Sequence, residues 1–252
     1  MDVVYVIGTG STWKNNELRY SLRSIDRFGI GLRNVIIVGD ELPDFVDPDK
    51  VIFYQVPDKP GDSPARNVYR KINHVFSTGC FETFLLSSDD HFFIKPTDFN
   101  NYPILYKGER MPSNGEKGIG DKRYTHTMAD TRLYMETHCL DTRYFEGHTN
   151  KLYSIYAWCY LKLIGLERWM YHTQYGISTN APMAAAFLKL NRMGMDYPCQ
   201  YRKDIKLKHL NTLEDRKLLE DANSFSIYDS AIKTGVADYL QSLFPEPSRF
   251  EK

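Results

Sequence analysis

The chain lacks the two sequence features that would tie it to a membrane or to export. No apolar run approaches the roughly 20 residues that a membrane-spanning helix needs. The N-terminus reads Met1-Asp2-Val3-Val4, without the basic and hydrophobic regions of a signal peptide. We therefore expect no transmembrane segment and a cytoplasmic location.

An excess of charge and a paired-cysteine motif are absent as well. The 252 residues include 32 Lys and Arg against 32 Asp and Glu, so no strong overall field attracts nucleic acid or an anionic membrane. The four cysteines lie far apart without a Cys-x-x-Cys motif, which favours free thiols over a zinc site or a disulfide framework. The whole sequence is 42% hydrophobic and 25% charged, which is an ordinary composition for a globular protein.

The most informative stretch is an apolar run that leads into two adjacent carboxylates. Residues 84–86 are Phe-Leu-Leu, and Asp89 and Asp90 follow after two serines. This pattern predicts a buried strand whose end concentrates negative charge, and a divalent cation such as Mg²⁺ or Mn²⁺ would offset the repulsion. The alternative is a plain turn or helix cap.

The N-terminal part of the chain alternates between strand and helix patterns. Strands are predicted at residues 3–7, 34–38, 51–56 and from 84, and helices at 17–28 and 65–76. Ser63 and Pro64 are typical of the start of the second helix. This order predicts an α/β, Rossmann-like, mostly parallel sheet with flanking helices, which binds ligands at the carboxyl ends of its strands.

Several residues in this part are candidate ligands for a phosphate. Gly8, Thr9 and Gly10 follow the first strand and allow close backbone approach, although they match neither a P-loop nor a dinucleotide fingerprint and a structural turn is the alternative. Arg19 and Arg23 share a helix face, where a phosphate or Asp26 could lie between them, or the face is simply solvated.

The second half is less regular. Residues 108–131 are polar and glycine-containing, which predicts a loop or lid. Helices are predicted at 151–163, 183–193, from 212 and at 230–244, the last amphipathic. In the first half, Lys71 lies on the helix 65–76, where it could reach a substrate or meet water.

Separated pieces of the chain resemble, in order, the sequence blocks of one family. They are residues 2–5, residues 17–25 with 34–40, Ser88-Asp89-Asp90 in place of Asn-Asp-Asp, His148 with Asn150 in place of the proline of a His-x-Pro-like motif, and residues 225–229 with 244–251. In these blocks the chain is similar to the Stealth family of sugar-phosphate transferases, which includes capsular polysaccharide phosphotransferases and N-acetylglucosamine-1-phosphotransferase-like enzymes.

The resemblance implies a GT-A-like, nucleotide-sugar-binding core at residues 1–100, with an acceptor and lid region and a helical C-terminal part at 101–252 packed on the same core. It implies transfer of a sugar 1-phosphate from a UDP-sugar to a hydroxyl acceptor in polysaccharide biosynthesis, leaving UMP.

The resemblance also assigns roles to residues. Asp89 and Asp90 would hold Mn²⁺ or Mg²⁺, and Asp90 would act in catalysis with His148, the candidate base because its ordinary pKa of ~6.5 lies near working pH. The candidate donor and phosphate ligands are Gly8, Thr9, Gly10, Arg19, Arg23, Lys71 and Arg202.

Two alternatives stay open. A GT-A-type glycosyltransferase would need the same aspartates, metal and UDP-sugar but would release UDP, acting on a glycan or on a modified nucleic-acid base. A non-catalytic sugar-nucleotide-binding module would keep the fold and bind its ligand without catalysing a reaction.

Overall fold

A computed structural model of the protein describes residues 1–79, 82–112, 122–147, 149–191, 198–202, 206–207, 213–220, 222–233 and 235–252. Of the helices within these ranges, none combines the length and hydrophobicity needed to cross a lipid bilayer.

The elements follow the predicted alternation of strand and helix in the first half of the chain. The strands are β1 (Asp2–Val6), β2 (Gly29–Ile30), β3 (Val35–Gly39), β4 (Ile52–Gln55), β5 (Thr83–Ser87), β6 (His91–Phe93), β7 (Thr97–Asp98), β8 (Ile104–Tyr106), β9 (Lys151–Ser154), β10 (Cys199–Tyr201), β11 (Lys206–Leu207) and β12 (Ser224–Ile227). The α-helices are α1 (Asn16–Phe28), α2 (Pro64–Thr78), α3 (Lys122–Thr137), α4 (Ile155–Leu163), α5 (Leu166–His172), α6 (Asn180–Asn191), α7 (Leu213–Glu220) and α8 (Val236–Leu243).

The central sheet has the strand order β4-β3-β1-β5-β9. Its first four strands are parallel, with Tyr5 of β1 opposite Ser87 of β5, whereas β9 runs antiparallel to β5, with Leu86 opposite Lys151. The carboxyl ends of β4, β3, β1 and β5 therefore share one edge of the sheet with the beginning of β9. This confirms the predicted α/β, mostly parallel sheet.

Smaller sheets extend the core beyond β5. β12 pairs antiparallel with β6, placing Ser226 opposite His91, and β11 lies parallel to β12. β10 pairs with β8, and β7 with β2. Because β6 begins directly after Asp90, the C-terminal strand β12 packs against the segment that follows the two aspartates.

Helices cover both faces of the central sheet, as an amphipathic pattern on each helix predicts. The stripe of α1 that was expected to face the sheet, Leu18, Leu22 and Ile25, is fully buried. On the other face, Ile72 and Val75 of α2 are equally buried. Burial of such side chains contributes roughly 1.5–3 kcal/mol each, so these two faces fix the helices against the sheet.

The start of α2 has the predicted cap. Pro64 occupies its first turn, and the Ser63 hydroxyl accepts a hydrogen bond from the backbone amide of Arg66 at 3.3 Å. Since α2 directly follows the loop after β4, its first turn lies at the edge of the sheet where the parallel strands end.

The prediction of a loop over residues 108–131 is wrong in its second half. α3 begins at Lys122 and buries Met128, Thr131 and Met135, which are spaced by three and four positions and so form one helix face. Polar residues between them masked this stripe in the sequence. Residues 113–121 lie outside the described ranges.

The predicted helix 151–163 is a strand followed by a helix. Lys151–Ser154 forms β9, and α4 begins at Ile155. Pairing with β5 decides the first part, where Tyr153 stacks on Phe84 with ring centroids 5.5 Å apart.

The predicted helix 230–244 is interrupted. A 3₁₀ turn spans Asp229–Lys233, and α8 starts only at Val236. Gly235 between them has φ of 81°, a left-handed conformation that breaks the helix.

Candidate functional site

Two aspartates follow the carboxyl end of β5 beside the centre of the sheet. Asp89 and Asp90 are half-buried, and the pairing of Ser87 with Tyr5 places them next to the turn after β1. Burial, together with the nearby carboxylates of Asp90 and Glu17, raises the pKa of Asp89 from 3.8 to about 7. The site therefore concentrates carboxylate oxygens whose mutual repulsion disfavours full ionisation.

Glu17 reaches this cluster from the first turn of α1. It is buried, and its Oε2 accepts a hydrogen bond from Ser11 Oγ at 2.9 Å. Ser11 Oγ also accepts a hydrogen bond from the backbone amide of Asn15 at 2.8 Å, so the turn after β1 positions the start of the helix. The sequence prediction missed Glu17. Its place in the first turn of the helix that follows β1 was the available signal.

The turn of Gly8, Thr9 and Gly10 is exposed at the same edge. A Cβ at Gly8 would lie 3.6 Å from Asp58 Oδ2, and one at Gly10 would meet no atom within 4 Å. The backbone of this turn is therefore open to a ligand approaching the edge of the sheet.

Lys71 of α2 links the ends of three strands. Its Nζ donates to the carbonyl of Ile7 at 2.7 Å and to Asp58 Oδ1 at 2.6 Å, and it lies 3.9 Å from Asp40 Oδ1. The backbone amide of Asp58 donates to Asp40 at 2.7 Å. Lys71 is buried, so the predicted alternative of a solvated lysine is wrong, and its role as a donor ligand stays a prediction.

Asp40 and Asp58 were also missed by the sequence prediction. Both follow strands of the parallel sheet, Asp40 directly after β3 and Asp58 shortly after β4. Carboxyl ends of parallel strands meet at one edge, so their positions after two predicted strands could have identified them.

The two arginines of α1 contact the C-terminal segment. Arg23 donates through Nε and Nη2 to the two carboxylate oxygens of Glu251, at 2.7 and 2.8 Å, and through Nη1 to the carbonyl of Phe244. Arg19 Nε lies 3.6 Å from Glu251, with its guanidinium over the ring of Phe45. The structure thus brings Arg19 and Arg23 together with Glu251, and these contacts hold residues 244–251 against α1.

Arg202 lies at the end of β10, against the strands that follow the aspartates. Its Nη2 donates to Ser224 Oγ at 2.8 Å and to the carbonyl of Ser224 at 3.1 Å. Ser224 Oγ lies 3.3 Å from Nε2 of His91, the residue after Asp90. The Ser224 side chain therefore links Arg202 to His91, on the segment that carries the two aspartates.

The segment before β9 reaches the same edge. Asn150 Oδ1 accepts a hydrogen bond from Ser87 Oγ at 3.0 Å, which fixes the beginning of β9 two residues from Asp89. His148 lies outside the described residues. Its neighbours Gly147 and Thr149 belong to this segment, and the Lys151 ammonium donates to Thr149 Oγ1 at 2.6 Å.

Within the described ranges, no group of three or more His, Cys, Asp or Glu side chains is arranged to hold a metal ion by itself. Asp89 and Asp90 offer oxygen donors, which hard cations prefer. Magnesium is commonly held by one or two carboxylates together with substrate phosphates, so the two aspartates fit such a site.

The chain therefore has a mixed α/β fold, with a mainly parallel central sheet, flanking helices and a carboxylate pair at the carboxyl end of a central strand. Among solved structures, the chain is similar to a crystal structure of the galactosyltransferase LgtC in complex with donor and acceptor sugar analogues. The TM-score is 0.50 at 10% sequence identity, over 98% of this chain and 96% of that chain. At so low an identity the similarity shows the fold alone, which is the fold of GT-A glycosyltransferases.

No protein-family model matches the chain, and a search of curated proteins also finds no match. The resemblance to the Stealth family therefore stays a prediction.

Proposed function

We propose that the protein is a metal-dependent transferase that uses a nucleotide sugar, with a UDP-sugar as donor. The supporting observation is the pair Asp89 and Asp90 at the carboxyl end of β5, directly beside the open turn after β1. This edge is where open parallel sheets bind ligands, and the turn leaves room for the donor.

Asp89 and Asp90 would hold Mn²⁺ or Mg²⁺. The raised pKa of Asp89 reflects burial and an excess of negative charge from Asp90 and Glu17, and the chemistry of this donor set fits a hard divalent cation. When bound, the cation would neutralise charge on the donor diphosphate, the main requirement of phosphoryl transfer.

The specific reaction we propose is transfer of a sugar 1-phosphate, as the Stealth resemblance implies. The acceptor hydroxyl oxygen forms a bond to the phosphorus that carries the sugar, the bond between that phosphorus and the bridging oxygen breaks, and UMP leaves with the bonding electrons. The hydroxyl proton passes to His148. A base with a pKa near working pH contributes roughly 10²- to 10⁴-fold.

The other candidate is glycosyl transfer, which the likeness to the galactosyltransferase LgtC favours. In that reaction the acceptor oxygen bonds to the anomeric carbon, the bond from that carbon to the phosphate oxygen breaks, and UDP leaves. Both reactions use the same donor edge, so the leaving nucleotide distinguishes them.

The test is incubation of the protein with UDP-sugars, Mn²⁺ and a mixture of hydroxyl acceptors, followed by chromatography of the nucleotides. We expect UMP. Release of UDP would instead identify a glycosyltransferase. If neither UMP nor UDP is released, both proposed reactions are contradicted.

A non-catalytic binding module requires a separate test. Calorimetry of a UDP-sugar should lose its Mn²⁺ dependence in Asp89→Ala and Asp90→Ala, while Asp49→Asn, an exposed aspartate in the loop between β3 and β4, serves as the matched control. Unchanged Mn²⁺-dependent binding in both alanine variants would remove the proposed metal site.

A further inference from the structure

A cavity of about 350 Å³ lies beside the donor edge, between the first turns of α2, the start of α3 and the segment that leads into α6. Its walls include Ala65 and Val68 of α2, Arg123, Tyr124 and Met128 of α3, and Tyr175 and Ile177. The volume falls in the range of small-molecule sites. Neither the predicted site residues nor the proposed donor site accounts for it.

Hydrogen bonds hold the three walls together. Ser63 Oγ donates to the carbonyl of Tyr175, which joins α2 to the segment before α6. The backbone amide of Ser178 donates to Thr131 Oγ1 at 2.8 Å, which joins the same segment to α3. Arg66 adds a bond from Nη2 to the carbonyl of Thr173 at 2.8 Å. The cavity is therefore preformed.

Glu146 forms the polar end of the cavity. Its carboxylate accepts from Ser178 Oγ, from the backbone amide of Ala181 at 2.9 Å and from Asn180 Nδ2 at 3.2 Å. A carboxylate has about four acceptor positions, so these three bonds orient Glu146 and leave it able to accept from a hydroxyl of a ligand.

Two further polar side chains of the walls already have a protein partner. Thr179 Oγ1 and Asn180 Oδ1 both lie 2.8 Å from the Tyr153 hydroxyl. Most of the surface inside the cavity comes from apolar atoms. A sugar ring carries a hydroxyl on nearly every carbon, and each buried hydroxyl without a partner costs free energy. The lining therefore disfavours a free sugar.

The polar end is connected to the donor edge. Glu146 precedes by four residues Asn150, which is hydrogen-bonded to Ser87 at the end of β5. Glu146 thus lies four residues before the side chain that contacts the end of β5, two residues from Asp89.

We propose that this cavity binds the acceptor, and that the acceptor carries its hydroxyl on a planar, largely apolar body. The inference rests on the proposed transferase function and names the substrate class for it. The body packs between Val68, Met128 and Ile177, and Tyr124 offers an aromatic face. On binding, the hydroxyl donates to Glu146, two residues before His148, to which its proton passes in the proposed reaction.

The test is calorimetry with 2-naphthol and, separately, methyl glucoside, in the presence of Mn²⁺ and UDP. Naphthol binds and methyl glucoside does not at the same concentration. Val68→Trp fills the cavity and weakens naphthol binding at least tenfold, whereas Leu163→Trp, on the exposed side of α4, leaves it unchanged. Tyr124→Ala removes a half-exposed ring without opening the core and weakens binding about threefold to tenfold.

Stronger binding of methyl glucoside, or naphthol binding that survives both Val68→Trp and Tyr124→Ala, overturns the inference. Binding of a UDP-sugar to the same protein preparations is measured with Mn²⁺ but without UDP. If the donor binds and naphthol does not, only the acceptor class is wrong. If naphthol binds and no UDP-sugar does, the proposed function fails while the preference of the cavity for planar apolar ligands stands.

Discussion

Carboxylates meet two opposite environments in this molecule. At the C-terminal segment, hydrogen bonds from Arg23 and from the backbone of Ser248 lower the pKa of Glu251, although burial alone would raise it. At the end of β5, burial and two further carboxylates raise the pKa of Asp89. The first environment contains its own cation, whereas in the second the nearby carboxylates of Asp90 and Glu17 disfavour the charged form of Asp89. A bound divalent cation would relieve that repulsion.

The largest expected effect is the loss of function when the aspartate pair is changed. Asp90→Ala should lower kcat/KM by roughly 10²-fold or more, the range seen when one electrostatic contact to a transition state is removed. The change also relieves the repulsion of Asp89 by Asp90, which offsets the loss of the contacts that Asp90 makes, so the melting temperature should change little. The measurements are nucleotide release and thermal unfolding.

The matched control for this prediction is Asp49→Asn, which changes an exposed carboxylate of the loop before β4. It should leave both activity and melting temperature unchanged. A stability loss in Asp90→Ala without a loss of activity would mean that both environments are structural, and the contrast between them would disappear.

The second prediction concerns the paired environment. Arg23→Leu leaves the Glu251 side chain, which is only 6% exposed, without its bidentate partner and should destabilise the fold by about 3 kcal/mol. This is the lower end of the usual range because Arg19 still lies 3.6 Å from the same carboxylate. Urea unfolding measures it.

Donor binding separates the two roles of Arg23. If the pair is structural, calorimetric affinity for a UDP-sugar should be unchanged in Arg23→Leu at a temperature where the variant is folded. Weaker donor binding with unchanged stability would instead support the phosphate contact that the sequence predicts.

A third prediction addresses Lys71, which pairs with Asp58 and Asp40 at the donor edge of the sheet. Lys71→Met removes the charged hydrogen bonds to Ile7 and Asp58 and should cost about 2 kcal/mol of stability. Because Lys71 fixes the turn after β1, KM for the donor should rise more than kcat falls. An effect on kcat alone would contradict this positioning role.

The sequence was sufficient for the parts that depend on local pattern. The apolar run before Asp89 and the stripe of Leu18, Leu22 and Ile25 could be predicted because burial imposes a period on neighbouring residues. Ser63 and Pro64 could be predicted because a helix start has its own local chemistry.

The remaining features depend on distant partners. Arg23 and Glu251 are 228 positions apart, and no local pattern relates them. β9 was predicted as helix because a short apolar run fits either state until β5 is available to pair with it. Glu146 gave no signal because its partners, Ser178, Asn180 and Ala181, come together only when α6 packs beside β9.

The smallest expected effect is the pH dependence of the paired environment. The pKa of Glu251 is lower in the folded protein than its ordinary value of 4.5, so the unfolded chain binds the proton more tightly. The stability from this pair is therefore fully present above pH 4.5 and is lost as the pH falls through the lowered value. Glu251→Gln should flatten the acid limb of a plot of unfolding free energy against pH, while Asp49→Asn should leave it unchanged. An acid limb of unchanged slope in Glu251→Gln would show that other carboxylates carry the acid sensitivity.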